Sequence, residues 1–207
     1  MLLVVGGNSH NIGKTSVAAA VIQSLPEAGW TAVKITQYDA GKCSTGQSAC
    51  RCDGGEHPYT LSEQAEPAST DSGRFLAAGA LRSYWLRTAR GNLGYAIPEL
   101  RKMIRTSRNV VLESNSVLQF LRPDLYLLVL DASVKDIKDS ARWFFNRADA
   151  YVFVGDEQRV PHWKGIPARW LREKPGFRAT PPEYTSEELI RFVQSAMGKV
   201  SPIATLP

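Results

Sequence analysis

The sequence predicts an α/β fold, a three-layer sandwich around a mainly parallel sheet, and three observations carry that prediction. Segments 2–5, 31–36, 109–113, 125–131 and 150–154 are apolar almost throughout, the pattern of strands buried on both faces. Stretches of helical spacing alternate with them, as in parallel sheets covered on each side. The first strand also stops at Gly6-Gly7, and a short polar loop leads straight into a helix. At 207 residues the chain fits a single domain, 1–207, with an insertion at 37–70 and an irregular C-terminal region at 157–207.

Taken in order, residues 17–25 continue the first helix with small and apolar side chains, and Gly29 ends that segment before the strand TAVKIT at 31–36. The polar stretch 37–70 is longer than an ordinary connection, which marks it as functional or held by a ligand. Residues 72–90 (SGRFLAAGALRSYWLRTAR) predict a helix capped by Asp71 or Ser72 and closed by Gly91, with Phe75, Ala78, Leu81, Trp85 and Leu86 on its apolar face. A shorter helix is expected over 98–107, another over 134–146, and a last amphipathic one over 186–197. Residues 161–182, with Trp163 and Trp170, should wrap the surface near the end of the sheet that carries the Gly6-Gly7 loop.

The loop Gly6-Gly7-Asn8-Ser9-His10-Asn11-Ile12-Gly13-Lys14-Thr15-Ser16 is the strongest chemical signal. A strand, a glycine loop and a helix N-terminus direct N–H groups and the helix dipole at an anion. Lys14 would reach the outer phosphates, Thr15 would offer its hydroxyl to Mg²⁺, and residues 8–16 would line the bound nucleotide. Five residues separate Gly7 from Gly13, where the usual phosphate loop has four.

In parallel sheets ligands bind at the carboxyl ends of the strands, which draws in Lys34, Glu113 and Asp131. A lysine inside a buried strand needs an anion, so Lys34 is read as a phosphate or substrate contact. Glu113 could hold Mg²⁺ or align an attacking water. Asp71 could add a carboxylate to the metal or serve only as a helix cap. Cys43, Cys50, Cys52 and His57 form C-x6-C-x-C-x4-H, a set that would satisfy Zn²⁺ or an iron–sulfur cluster, although free thiols and a disulfide are alternatives.

Composition excludes several classes. With 43% hydrophobic residues the chain is neither disordered nor membrane-spanning, since its apolar runs are far too short to cross a bilayer. No membrane partner is expected. The first residues read as a strand and not as a signal peptide, so the expected location is cytoplasmic. The net charge of +5 is spread over several segments and needs no nucleic-acid partner to explain it. Trp85, Trp143, Phe144, Phe145 and Trp163 could serve a homodimer interface or the core.

The loop GGNSHNIGKTS resembles that of the dethiobiotin synthetase-like branch of P-loop NTPases, within the class of signal-recognition GTPases, MinD-type ATPases and nickel-insertion GTPases. The strand end Val33-Lys34-Ile35-Thr36 is similar to those of dethiobiotin synthetases and of the molybdopterin-guanine-dinucleotide biosynthesis protein B family, where a lysine here faces the ligand. Val111-Leu112-Glu113-Ser114-Asn115, with Pro123-Asp124-Leu125 and Val129-Leu130-Asp131, resembles the Walker B region of that branch. The resemblance covers 1–36 and 109–156. It implies a Rossmann-like P-loop NTPase with Mg²⁺ on Thr15 and Glu113, and Asp71 as a further candidate. ATP or GTP remains open, because Val154-Gly155-Asp156-Glu157 stands where a guanine-specific family carries Asn-Lys-x-Asp. The acidic-glycine signature of dethiobiotin synthetases is absent after Glu113, which argues against biotin synthesis.

The resulting expectation is a Mg²⁺-dependent protein that binds and hydrolyses a nucleoside triphosphate, an accessory NTPase in cofactor or metal-centre assembly. The alternatives are a small-molecule kinase or ATP-dependent ligase with an unidentified second substrate, and a nucleotide-dependent regulatory switch with a protein partner.

Overall fold

The computed structural model describes residues 1–39, 57–155 and 163–199. Eight strands form one sheet: β1 (Leu2–Gly7), β2 (Trp30–Tyr38), β3 (Tyr59–Glu63), β4 (Arg82–Ala89), β5 (Asn109–Glu113), β6 (Leu125–Asp131), β7 (Ala150–Val154) and β8 (Gly176–Arg178). Their spatial order is β3-β4-β2-β5-β1-β6-β7-β8, and every pair is parallel except β3 with β4. The helices are α1 (Lys14–Ser24), α2 (Asp71–Ala77), α3 (Leu93–Thr106), α4 (Asp139–Phe144) and α5 (Glu187–Lys199).

Alternation along the strands divides the core into two layers. Leu3, Val5, Ala32, Val111 and Leu127 pack with Val17 and Val21 of α1, Phe75 of α2, and Leu189 and Val193 of α5. Val4, Val33, Leu112 and Leu128 face the other way, onto Leu93, Ile97 and Leu100 of α3 and Ala141 of α4. The predicted three-layer α/β architecture is therefore present, and β5 spans the expected residues 109–113.

Several boundaries differ from expectation. The helix expected over 72–90 is instead the short α2 followed by β4. Gly79 takes φ 99°, which ends the helical path, and Tyr84, Trp85 and Thr88 suit the strand that pairs with β2 over eight residues. Leu81, placed on an apolar helix face by the sequence, is 73% exposed. Helix α3 begins at Leu93 and runs through Pro98 instead of starting there. The stretch expected as a helix over 134–146 contracts to α4 and a 3-10 turn at Phe145–Arg147. The polar insertion contributes β3, and the irregular C-terminal region contributes β8.

Trp163, expected in a segment that wraps the surface, is instead buried beside Phe145 and donates from Nε1 to the Val134 carbonyl at 2.7 Å. Phe145 is likewise core, whereas Trp143 and Trp85 remain exposed. Among the described residues no helix is long and apolar enough to cross a membrane.

Leu112 lies fully buried on the central strand β5. Leu112→Ala should lower unfolding free energy by about 2–5 kcal/mol in urea titrations, through lost transfer energy and a residual cavity.

Candidate phosphate-binding site

The loop after β1 is clamped from two directions. Asn115, just past β5, accepts from the Gly7 N–H through Oδ1 at 2.8 Å and donates from Nδ2 to the Gly7 carbonyl at 2.9 Å. Asn8 is fully buried; its N–H donates to the Val129 carbonyl at 3.0 Å, and its side chain exchanges two hydrogen bonds with the backbone of Asp131. Asn8 was expected to line the nucleotide, but its backbone and side chain are engaged in holding the loop to the sheet. Gly6 is needed here because a Cβ on it would stand 2.1 Å from Asn115 Oδ1.

Helix α1 then begins at Lys14, with Gly13 at φ 88° as the residue before it. Lys14 Nζ folds back to the Ser9 carbonyl at 2.6 Å, and burial lowers its pKa first of all, with Lys34 adding to the shift and Glu113 opposing it. His10 and Asn11 are exposed at the loop tip, Asn11 with φ 52°, while Ile12 turns into the core. The Ser16 hydroxyl accepts from Arg74 Nη2 at 2.8 Å.

Beside the helix start, four elements meet. Parallel pairing sets Glu113 opposite Val5 of β1 on one side and Lys34 of β2 on the other. Glu113 is only 2% exposed, and its two oxygens are divided between partners: Thr15 Oγ1 donates to Oε2 at 2.7 Å and Lys34 Nζ to Oε1 at 2.5 Å. Lys34 also meets Asp71 Oδ2 at 2.7 Å, at the first turn of α2. Thr70 supplies the cap of α2 through its hydroxyl to the Gly73 N–H, so Asp71 is not consumed by capping and faces Lys34. Burial works against the charge on Lys34 but is outweighed by Glu113 and Asp71, which raise its pKa. Burial likewise opposes ionisation of Asp71, yet Lys34 holds its carboxyl below the ordinary value.

A cavity of about 270 Å³ opens over this group, bordered by Gly13, Thr15, Lys34, Asp71, Arg74 and Tyr184. Tyr184 enters from the C-terminal region at φ 51°, and its ring lies so close to Gly13 that a Cβ there would stand 2.7 Å away. Asn115, Arg74 and Tyr184 were not singled out from the sequence. Asn115 had a usable signal, following Glu113 by two residues at a strand end; an isolated tyrosine after Pro181-Pro182 had none.

Thr15, Glu113 and Asp71 are hard oxygen donors of the kind Mg²⁺ takes alongside phosphate oxygens and water. Because Thr15 gives its proton to Glu113, the lone pairs of Oγ1 remain available, and Lys34 approaches them at 3.3 Å. The donor set therefore fits the ion. Asp131 is not aimed at this group; its Oδ1 accepts from Ser133 N–H and Oγ. Cys43, Cys50 and Cys52 lie outside the described residues, and His57 is exposed just before β3. Among the described residues no set of three or more His, Cys, Asp or Glu side chains is arranged to hold a metal.

No family model and no curated protein matches the chain. Among solved structures it is similar to the "apo" form of LpxK from Aquifex aeolicus crystallised in complex with ATP, with 15% identity and a TM-score of 0.47 over 86% of this chain and 53% of that one. The chain thus spans about half the length of that protein.

Lys34→Met should cost about 3–5 kcal/mol in urea unfolding by stranding buried Glu113, and the double variant Lys34→Met/Glu113→Leu should regain part of it. Asp71 has a depressed pKa in the fold, so its contribution is fully present above the ordinary 3.8 and is lost as pH falls through the lowered value. Stability measured against pH should accordingly fall less steeply on the acid side in Asp71→Asn than in the parent.

Proposed function

We propose that the protein is a Mg²⁺-dependent phosphotransferase that moves the terminal phosphoryl group of a nucleoside triphosphate to a small-molecule acceptor. The observation that carries this reading is the convergence of Thr15, Glu113, Lys34 and Asp71 at the head of α1, with Lys34 2.7 Å from Asp71 and 2.5 Å from Glu113. A phosphate cradle alone needs no second lysine and no half-exposed carboxylate at its mouth. Both are what phosphoryl transfer requires: a cation for the equatorial charge and a base for the acceptor.

In this reading, loop N–H groups from Ser9 to Lys14 and the Lys14 ammonium bind the phosphates. Thr15 and Glu113 would hold Mg²⁺, with Asp71 reaching it through water, and the ion would supply neutralisation of the phosphate charge. Lys34 stabilises charge on the phosphoryl group in transit. The acceptor oxygen forms its bond to the terminal phosphorus as the bond to the bridging oxygen breaks. That electron pair leaves with the nucleoside diphosphate, and the acceptor's proton passes to the Asp71 carboxylate.

A second reading, an accessory NTPase in cofactor or metal-centre assembly, draws on the clustering of Cys43, Cys50 and Cys52 within ten residues. In that case the same cradle would release phosphate to water.

The test begins with calorimetric titration of MgATP and MgGTP. Binding by the parent and a loss of at least about 100-fold in Lys14→Ala are expected; no binding of either nucleotide by the parent would sink both readings. Transfer of labelled phosphate is then followed across a panel of hydroxyl and carboxylate metabolites. Asp71→Asn should retain nucleotide binding while turnover falls by about 10²–10⁴. Release to water alone, unaffected by any acceptor, would overturn the phosphotransferase reading.

A further inference from the structure

Among the described residues, two that are not glycine hold a left-handed backbone, Asn11 at φ 52° and Tyr184 at φ 51°. Both border one cavity, the one that opens over Thr15, Lys34 and Asp71. An asparagine tolerates that conformation, because its short polar side chain can bond locally; a bulky tyrosine takes it only at a cost. Strain of this kind persists where the surrounding structure enforces it, and it collects at residues that clamp ligands.

The segment that carries Tyr184 is pinned at both ends. Upstream, β8 pairs with β7, and the Ala179 N–H donates to the Phe153 carbonyl at 2.9 Å. Downstream, α5 buries Leu189 and Val193 in the core layer that contains α1. Between them the Tyr184 N–H closes onto the Thr180 carbonyl at 2.8 Å. The half-buried ring is thereby delivered to the head of α1, where a Cβ on Gly13 would meet Tyr184 Cε1 at 2.7 Å and Val154 Cγ1 at 3.7 Å. Val154 closes β7, two strands from β1 on one side, and Lys34 stands on β2, two strands from β1 on the other. The cavity therefore has two unlike ends. Lys34, Asp71 and Arg74 make one of them charged, and across the start of α1 the other is an aromatic ring.

Building on the reading that a nucleoside triphosphate binds here, we propose that Tyr184 forms the nucleoside subsite, with its ring stacked on the planar base while the phosphates run past Gly13 and Thr15 toward Lys34 and Asp71. The charged end belongs to the transfer step, which leaves the aromatic end for the part of the ligand that carries no charge. A base has a flat face, and an aromatic side chain matches it with few rotatable bonds to immobilise. The strained backbone at Tyr184 is then the cost of holding that ring in place before the ligand arrives.

The experiment titrates two ligands by calorimetry. One is whichever of MgATP and MgGTP the parent binds more tightly; the other is magnesium methyl triphosphate, which carries the same charge and no nucleoside. Tyr184→Ala should weaken the nucleotide about tenfold or more while methyl triphosphate stays within about threefold. Tyr184→Leu keeps an apolar side chain over Gly13, which guards against an alanine variant that fails to fold, and it should show the same split. Tyr184→Phe should bind both ligands like the parent. The proposal is overturned if the alanine and leucine variants bind the nucleotide like the parent, or if the phenylalanine variant falls with them. It is also overturned if they lose both ligands in parallel, which would make Tyr184 a support for Gly13. Methyl triphosphate bound by the parent as tightly as the nucleotide sinks the nucleoside subsite alone, whereas binding of neither ligand sinks the nucleotide reading and the subsite with it.

Discussion

A carboxylate buried at the centre of the sheet is the constraint around which this end of the molecule is built. Glu113 is only 2% exposed, and a carboxylate buried to that degree without hydrogen-bond partners would cost several kcal/mol. Its two oxygens are met from different elements, Thr15 from the first turn of α1 and Lys34 from β2. Satisfying it therefore fixes the height of α1 over the sheet and the register of β2 against β5. Lys34 in turn recruits Asp71, which ties α2 to the same point. Four elements are located by one chain of charge-assisted hydrogen bonds, and that chain ends at the cavity bordered by Gly13, Thr15 and Asp71.

The central sheet was legible because a strand buried on both faces can hardly be written any other way. Asn109–Glu113, Leu125–Asp131 and Ala150–Val154 are apolar runs bounded by polar residues, and each forms as read. The periphery was less legible, for the opposite reason. Strand β4 leaves Arg82 exposed on one face and Trp85 exposed on the other, so its apolar residues fit a helical stripe nearly as well as a strand alternation. What decides it is the eight-residue partnership with β2, a tertiary fact that no local pattern carries. Strand β8 is three residues long and owes its existence to pairing with β7.

The site divides in the same way. Lys14 and Thr15 open a helix, Glu113 closes a strand and Lys34 interrupts a buried one, so each is conspicuous in the sequence against apolar neighbours. Asp71 was ambiguous because the sequence allowed it to be only a helix cap; the hydrogen bond from the Gly73 N–H to Thr70 Oγ1 gives that role to Thr70, which the sequence had not offered for it.

Asn8 and Asn115 explain why the loop can be both open and rigid. A loop that is to receive an anion has to present N–H groups without binding them to itself, so its own backbone cannot hold it in place. Here the restraint is moved to the residues just before the cradle: Gly7 is gripped by Asn115 on the β5 side and Asn8 by β6 on the other. Both grips are amides, neutral groups that donate and accept at once, so they fix the backbone without adding charge beside the anion site. Gly6 and Gly7 then follow as a consequence. At Gly6 a Cβ would collide with Asn115, and at Gly7 with the Lys14 side chain, so the lysine can reach across the loop only because that position carries no side chain.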